Sequence, residues 1–169
     1  MINRTVTAVL DTPPEEVFAF LSNVDNLPLW ATDFARELKY EDGQAKVVNG
    51  LGEFYFRIDA DPDTGVIDMY AGPSNNEMAL FPTRVVALGP TKSAYSFTMF
   101  KAPGMPDELF ESQYQSLQRE FDNIRAHFTA EGGELCTMTD QHERTEMLAA
   151  DLWVALQNLI DDAERRPQA

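Results

Sequence analysis

The chain has 169 residues, 44% of them apolar and 11% aromatic, enough for one domain that buries a core without disulfides or a structural metal. Its 28 acidic residues against 13 basic ones leave a formal net charge of -15, which repels nucleic acid and anionic lipid and serves solubility. No stretch approaches the roughly 20 consecutive apolar residues of a membrane helix, and a lone cysteine, Cys136, with an N-terminus lacking an apolar leader core leads us to expect a cytoplasmic protein without membrane insertion.

Residues 2 to 10 alternate, with Ile2, Val6, Ala8 and Leu10 on one side and Asn3, Thr5 and Thr7 on the other, which is the period of a half-buried strand. A helix start follows. In TPPEEVFAFLS, Thr12 can cap, Pro13 suits the first helical position and Glu15 falls three residues after the cap, a capping box ahead of Val17, Phe20, Leu21 and Val24 at helical spacing. Pro28 breaks DNLPLW, so Asn26 to Thr32 reads as a short helical turn or loop that carries Trp30 back toward the core.

From Phe34 to Lys101 the turn signals EDGQ, NGLG, DPDTG, GPSNN and GPTK separate a series of predicted strands, an antiparallel meander. They run over Phe34–Tyr40, Ala45–Val48, Glu53–Ala60, Val66–Tyr70, Met78–Leu88 and Ser93–Lys101. Pro82 makes the fifth of these an edge strand or a bulged one. After APGM the period becomes helical, because Phe110, Tyr114, Leu117, Phe121, Ile124 and Phe128 recur at steps of four and three. Glu111, Gln115, Arg119, Asp122 and Arg125 form the opposite, water-facing side, and Gly132 with Gly133 can end the helix. A second amphipathic helix is predicted from about Gln141 to Arg165, opened by Asp140 and Glu143, with Trp153 flanking a stripe of Leu148, Leu152, Leu156 and Leu159.

Strand, short helices, antiparallel strands and then a long helix make an α+β arrangement. In this order the segments TPPEEVFAFLSNVDNLPLW, GVID, RVVALG and FTMFKAPGMPDELF resemble the helix-grip superfamily, often called SRPBCC, which includes START lipid-transfer domains, polyketide cyclases and the birch-pollen allergen fold. The resemblance runs from residue 2 to about residue 130. It implies a START-like helix-grip domain over residues 1–130, with a curved antiparallel sheet of about six or seven strands wrapped around the long helix and a large apolar cavity between them. Residues 131–169 then form a connector and an additional amphipathic helix, in the same domain or as a dimer contact. The resemblance also implies that a small hydrophobic molecule is bound or transformed, with the ligand differing among members. Two residues depart from the family pattern: the position after GVID, commonly histidine, is Met69, and Pro106 replaces the usual small hydroxyl cap of the long helix.

Candidates for the cavity wall follow from strand parity. Phe54, Phe56 and Ile58 share one face of EFYFRID, and Tyr95, Phe97 and Met99 share one face of SAYSFTMF. Tyr114, Leu117 and Phe121 of the long helix would meet them, with Trp30 beside; close packing of the same side chains is the plain alternative. In GVIDMY, Val66, Asp68 and Tyr70 share one face and Ile67 and Met69 the other. If Ile67 and Met69 point inward, Asp68 is solvated, the commoner place for an aspartate. In the reverse order Asp68 and Tyr70 enter the pocket, and Arg84 is the partner that a buried carboxylate requires. That order also leaves Ile67, Met69, Val85 and Phe100 outside, where the last helix would cover them; alternatively that helix pairs with its copy in a homodimer.

His127 and His142 have no acid or cysteine at a metal-binding spacing, Cys136 lacks the basic neighbours of a reactive thiolate, and no nucleophile elbow, phosphate loop or dinucleotide fingerprint occurs. No metal and no cofactor is expected. The function expected is binding of a small hydrophobic molecule, with entry through the KAPGMP loop and its Gly104. The alternative is a polyketide cyclase/dehydratase-like enzyme in which Asp68, Arg84 or Tyr95 positions the substrate and moves protons.

Overall fold

A computed structural model describes residues 2–49, 52–101 and 104–129. The predicted last helix with Trp153, the residues His142 and Cys136, and both roles suggested for that helix lie outside the described residues. Within them the chain runs β1 (Asn3–Leu10), α1 (Pro14–Leu21), a 3-10 turn (Val24–Asn26) and α2 (Leu27–Trp30). It continues through β2 (Glu37–Glu41), β3 (Gln44–Asn49), β4 (Gly52–Asp61), β5 (Val66–Ser74), β6 (Glu77–Phe81), β7 (Thr83–Gly89) and β8 (Lys92–Phe100) to α3 (Asp107–Thr129). The strands form one curved antiparallel sheet in the order β1-β8-β7-β5-β4-β3-β2, with β6 also paired to β5. The first strand thus lies beside the last.

Alternation along β1 and β8 decides which side is inner. Val6, Ala8 and Leu10 are buried on one strand and Ser93, Tyr95, Phe97 and Met99 on the other, each separated by more exposed residues. The long helix α3 covers this face, packing against β1 and α2. At its carboxyl end Arg125 donates from a guanidinium nitrogen to the Thr7 carbonyl at 3.0 Å, tying helix to strand.

Three local expectations need correction. Helix α1 begins one residue later than the sequence suggests, with Pro13 as its cap and Pro14 in the first turn, and no side chain caps it. Thr12 is therefore displaced from the capping position, and the capping box does not form. The run around Pro82 is not one strand: a proline cannot donate a ladder bond, so the run splits there into β6, which pairs with β5 alone, and β7, which lies between β5 and β8. The Pro82 carbonyl still accepts from the Thr98 N–H at 3.1 Å. Finally, β2 starts at Glu37 and not at Phe34, because residues 31–34 turn toward α3 and the chain meets the sheet only from Arg36, whose N–H donates to the Val48 carbonyl at 3.1 Å.

Gly65 sets the approach of β5 to β7. Its φ of +72° suits the turn after Asp61, and a Cβ there would lie 2.2 Å from the Val85 carbonyl oxygen. In place of that clash, the Val85 N–H donates to the Gly65 carbonyl at 2.8 Å.

Candidate functional site

The inner face is filled at one end. Tyr95 stacks on Phe121 with ring centroids 5.3 Å apart, and Val17 and Leu21 of α1 with Ile124 of α3 are buried in the same core. Toward α2 and β6 the packing stops, leaving a cavity of about 110 Å³. Since a site needs roughly 10–15 Å³ on this measure to hold one water, the space admits a small organic guest.

Three surfaces bound it. Phe56, Met69, Phe81, Phe97 and Met99 come from the sheet, and their inward direction follows from strand parity. Leu27 and Trp30 of α2, followed by Ala31, Asp33 and Phe34, form a second wall. The third is α3, through Gln113, Ser116, Leu117 and Glu120. Spacings of three and four put these last residues on one stripe of the helix.

Glu120 is the chemically distinctive member. It is only 7% exposed, and its Oε1 accepts the Phe34 N–H at 3.0 Å. Burial pushes its carboxyl up to about 8, with the neighbouring Asp33 charge adding to the shift, while the backbone N–H groups of Phe34 and Asp33 and the Arg119 guanidinium oppose it. Asp33 itself is well partnered: Oδ2 accepts from the Ser116 hydroxyl at 2.6 Å and from the Arg119 guanidinium at 2.9 Å. Asn123 completes the anchorage of this segment by donating to the Trp30 carbonyl and the Thr32 hydroxyl, both at 3.0 Å. Burial likewise raises the Tyr95 phenol, which feels both the Thr83 hydroxyl and the Glu120 charge.

The cavity wall includes five of the residues named from sequence: Trp30, Phe56, Phe97, Met99 and Leu117. Phe54, Tyr95 and Phe121 face inward but belong to the filled core beside it. Ile58 and Tyr114 are half-buried and pack against that core, with the Arg4 guanidinium 5.9 Å from the Tyr114 ring centre. Asp68, Tyr70 and Arg84 lie on the outer face. On β5 the buried set is Ile67, Met69 and Ala71, so Asp68 and Tyr70 point away from the helix. Asp68 stands opposite Asp59 of β4, Tyr70 opposite Arg57, whose guanidinium lies 4.1 Å from the ring centre, and Arg84 donates to the Thr64 carbonyl at 3.1 Å. A strand is entirely apolar on only one of its two parities here, and a one-residue slip would bury the acid.

Sequence reasoning missed Glu120, Asp33 and Ser116. The signal for Glu120 was present: it stands three residues after Leu117 and four before Ile124, inside the apolar stripe of α3. Asp33 carried no such mark, because it meets the helix only through the path of residues 31–36. His127 is stacked on Phe20 at a centroid distance of 3.9 Å, away from the cavity wall. Among the described residues no three His, Cys, Asp or Glu side chains are grouped to hold a metal, and no helix is long and apolar enough to cross a membrane.

No protein-family model matches the chain, and no curated protein matches it in sequence. Solved structures do match. The protein XoxI from Bacillus cereus superposes with a TM-score of 0.60 at 16% identity over 79% of this chain and 100% of its own. A START superfamily protein from Mycobacterium smegmatis gives 0.54 at 16% identity, over 75% of this chain and 97% of its own. The di-domain ARO/CYC BexL from the BE-7585A biosynthetic pathway gives 0.59 at 15% identity, over 76% of this chain and 46% of its own. At such identities the likeness speaks for architecture alone. With β1 paired to β8 and the curved antiparallel sheet wrapped around α3, the chain has the START-like helix-grip fold.

Proposed function

We propose that this chain binds a small, mainly hydrophobic molecule in the cavity between the sheet and α3. The observation that supports this reading is the change in packing along one continuous inner face, from stacked rings at Tyr95 and Phe121 to a space bordered by Trp30, Phe56, Phe97 and Leu117. Apolar surface of a guest removed from water there contributes about 25 cal/mol per Å², and the polar groups at Glu120, Asp33 and Ser116 set its orientation.

The test is capture of a neutral apolar dye, phenylnaphthylamine, whose fluorescence rises on leaving water, with native mass spectrometry of the purified full chain to find a retained molecule. Ala31→Leu places a larger side chain in the wall at a buried position. We expect dye capture by the parent chain and its loss in Ala31→Leu. A parent chain that captures no dye and retains no ligand would sink the proposal.

A second reading is an acid–base enzyme of the cyclase or dehydratase kind, favoured by one observation: the Glu120 carboxyl borders the cavity, where burial pushes it up to about 8. Asp68 and Arg84 do not serve that reading, since both lie on the outer face of the sheet.

A further inference from the structure

Glu120 is arranged as a hydrogen-bond acceptor, its Oε1 taking the Phe34 N–H at 3.0 Å, and the backbone N–H groups of Phe34 and Asp33 favour its charged form. That arrangement suits a carboxylate. Two influences oppose its charge, namely burial and the Asp33 carboxylate beside it. The Arg119 guanidinium is turned to Asp33, at 2.9 Å, with 48% of its side chain exposed, and so serves the rim and not the interior. Among the described residues no lysine, arginine or histidine is in the cavity wall. Among the described residues the positive charge at this end is thus Arg119 alone, outside the wall and paired with Asp33.

The rest of the wall suits one. Trp30, Phe34, Phe56, Phe81 and Phe97 present aromatic side chains around the same space, and ring faces attract ammonium groups most strongly where water is excluded. The net charge of -15 also draws cations toward the protein and holds organic anions off. Resting on the ligand-binding reading above, we propose that the cavity takes a small apolar molecule bearing an ammonium group, which pairs with the Glu120 carboxylate while its hydrocarbon body lies among the rings.

Binding then displaces the carboxyl proton to solvent. Among the described residues the charged and titratable groups facing Glu120 are Asp33 from the segment after α2, Arg119 from α3 and Tyr95 from β8. With Glu120 titrating at about 8, the free protein is largely protonated there at pH 7, and amine affinity rises with pH until that group is ionised.

The experiment compares phenylpropylamine, phenylpropanol and phenylpropanoate, which share one skeleton, by displacement of the neutral dye and by calorimetry on the full chain. At pH 8 the amine should bind about tenfold tighter than the alcohol, with the carboxylate weakest. Lowering the pH to 6 should weaken the amine by roughly tenfold or more, through protonation of Glu120, and leave the alcohol unchanged. Calorimetry at pH 7 in two buffers of different ionisation enthalpy should reveal proton release with the amine alone. Glu120→Gln should bring the ratio of amine to alcohol affinity close to one. Dye capture with the alcohol or carboxylate equal to or tighter than the amine overturns this inference and leaves the cavity reading intact. Failure of the dye and all three compounds overturns both. Should Glu120→Gln not fold, absence of proton release in the parent chain is sufficient to refute the amine assignment.

Discussion

On β8, Tyr95 and Met99 point to the same side of the sheet, yet Tyr95 is locked against the Phe121 ring while Met99 borders a void. Strand periodicity treats the two alike. What differs is the element opposite. Tyr95 meets the part of α3 that carries Phe121 and Ile124 and shares its core with Val17 and Leu21 of α1. The cavity around Met99 meets a stretch of α3 that offers Gln113, Ser116, Leu117 and Glu120, with residues 31–34 held at the rim by Asp33 and its partners. Shorter and polar side chains opposite large inward ones leave space between them, because the sheet cannot collapse onto a helix tethered at both levels.

The contrast can be broken first at the filled end. Phe121→Ala should cost about 3–5 kcal/mol by urea denaturation, since the emptied volume is enclosed by buried neighbours. A loss comparable with a surface substitution would mean that this end is not the packed one. Next in size is the pH response of the hollow end. The Glu120 carboxyl goes from its ordinary 4.5 to about 8 on folding, so the folded state keeps a proton that the unfolded state has lost. The stability this group contributes is then fully present in acid and falls as pH rises from about 4.5 to about 8, by on the order of a few kcal/mol. Thermal midpoints at pH 5 and pH 8 check this, and Glu120→Gln should flatten the difference.

A smaller effect is expected at the void itself. Met99→Ala should cost about 1–2 kcal/mol, below the usual range for a buried methionine, because the side toward the cavity forfeits few contacts. A cost equal to that of Phe121→Ala would show that the space closes in solution. Smallest of all are changes on the outer face: Asp68→Asn and Arg84→Ala should each alter stability by less than about 0.5 kcal/mol and leave dye capture as it was. Lost dye capture in either would place that side chain at the cavity after all.

Much of the architecture was legible along the chain. The alternation in β1, β4 and β8, the turn at DPDTG and the steps of four and three through α3 are local patterns that follow from backbone geometry, and each element lies within a few residues of its expected place. Trp30 returning to the core after Pro28 was readable for the same reason. The orientation of β5 was not, because GVIDMY carries apolar residues on both parities and only the pairing of Ile58 with Met69 and Asp59 with Asp68 selects one. Glu120 was half legible, as an acid within an apolar stripe.

Which residues are inward, where the helices run and which strands neighbour one another in sequence rest on periodicity, a property of single segments. Whether the inward side chains touch is a property of two segments far apart. Asp33 reaches Ser116 and Arg119 across more than eighty positions of chain, and Phe34 reaches Glu120 in the same way. Those contacts hold the wall open and bring a buried carboxyl to it, and they exist only once the sheet has curved around α3.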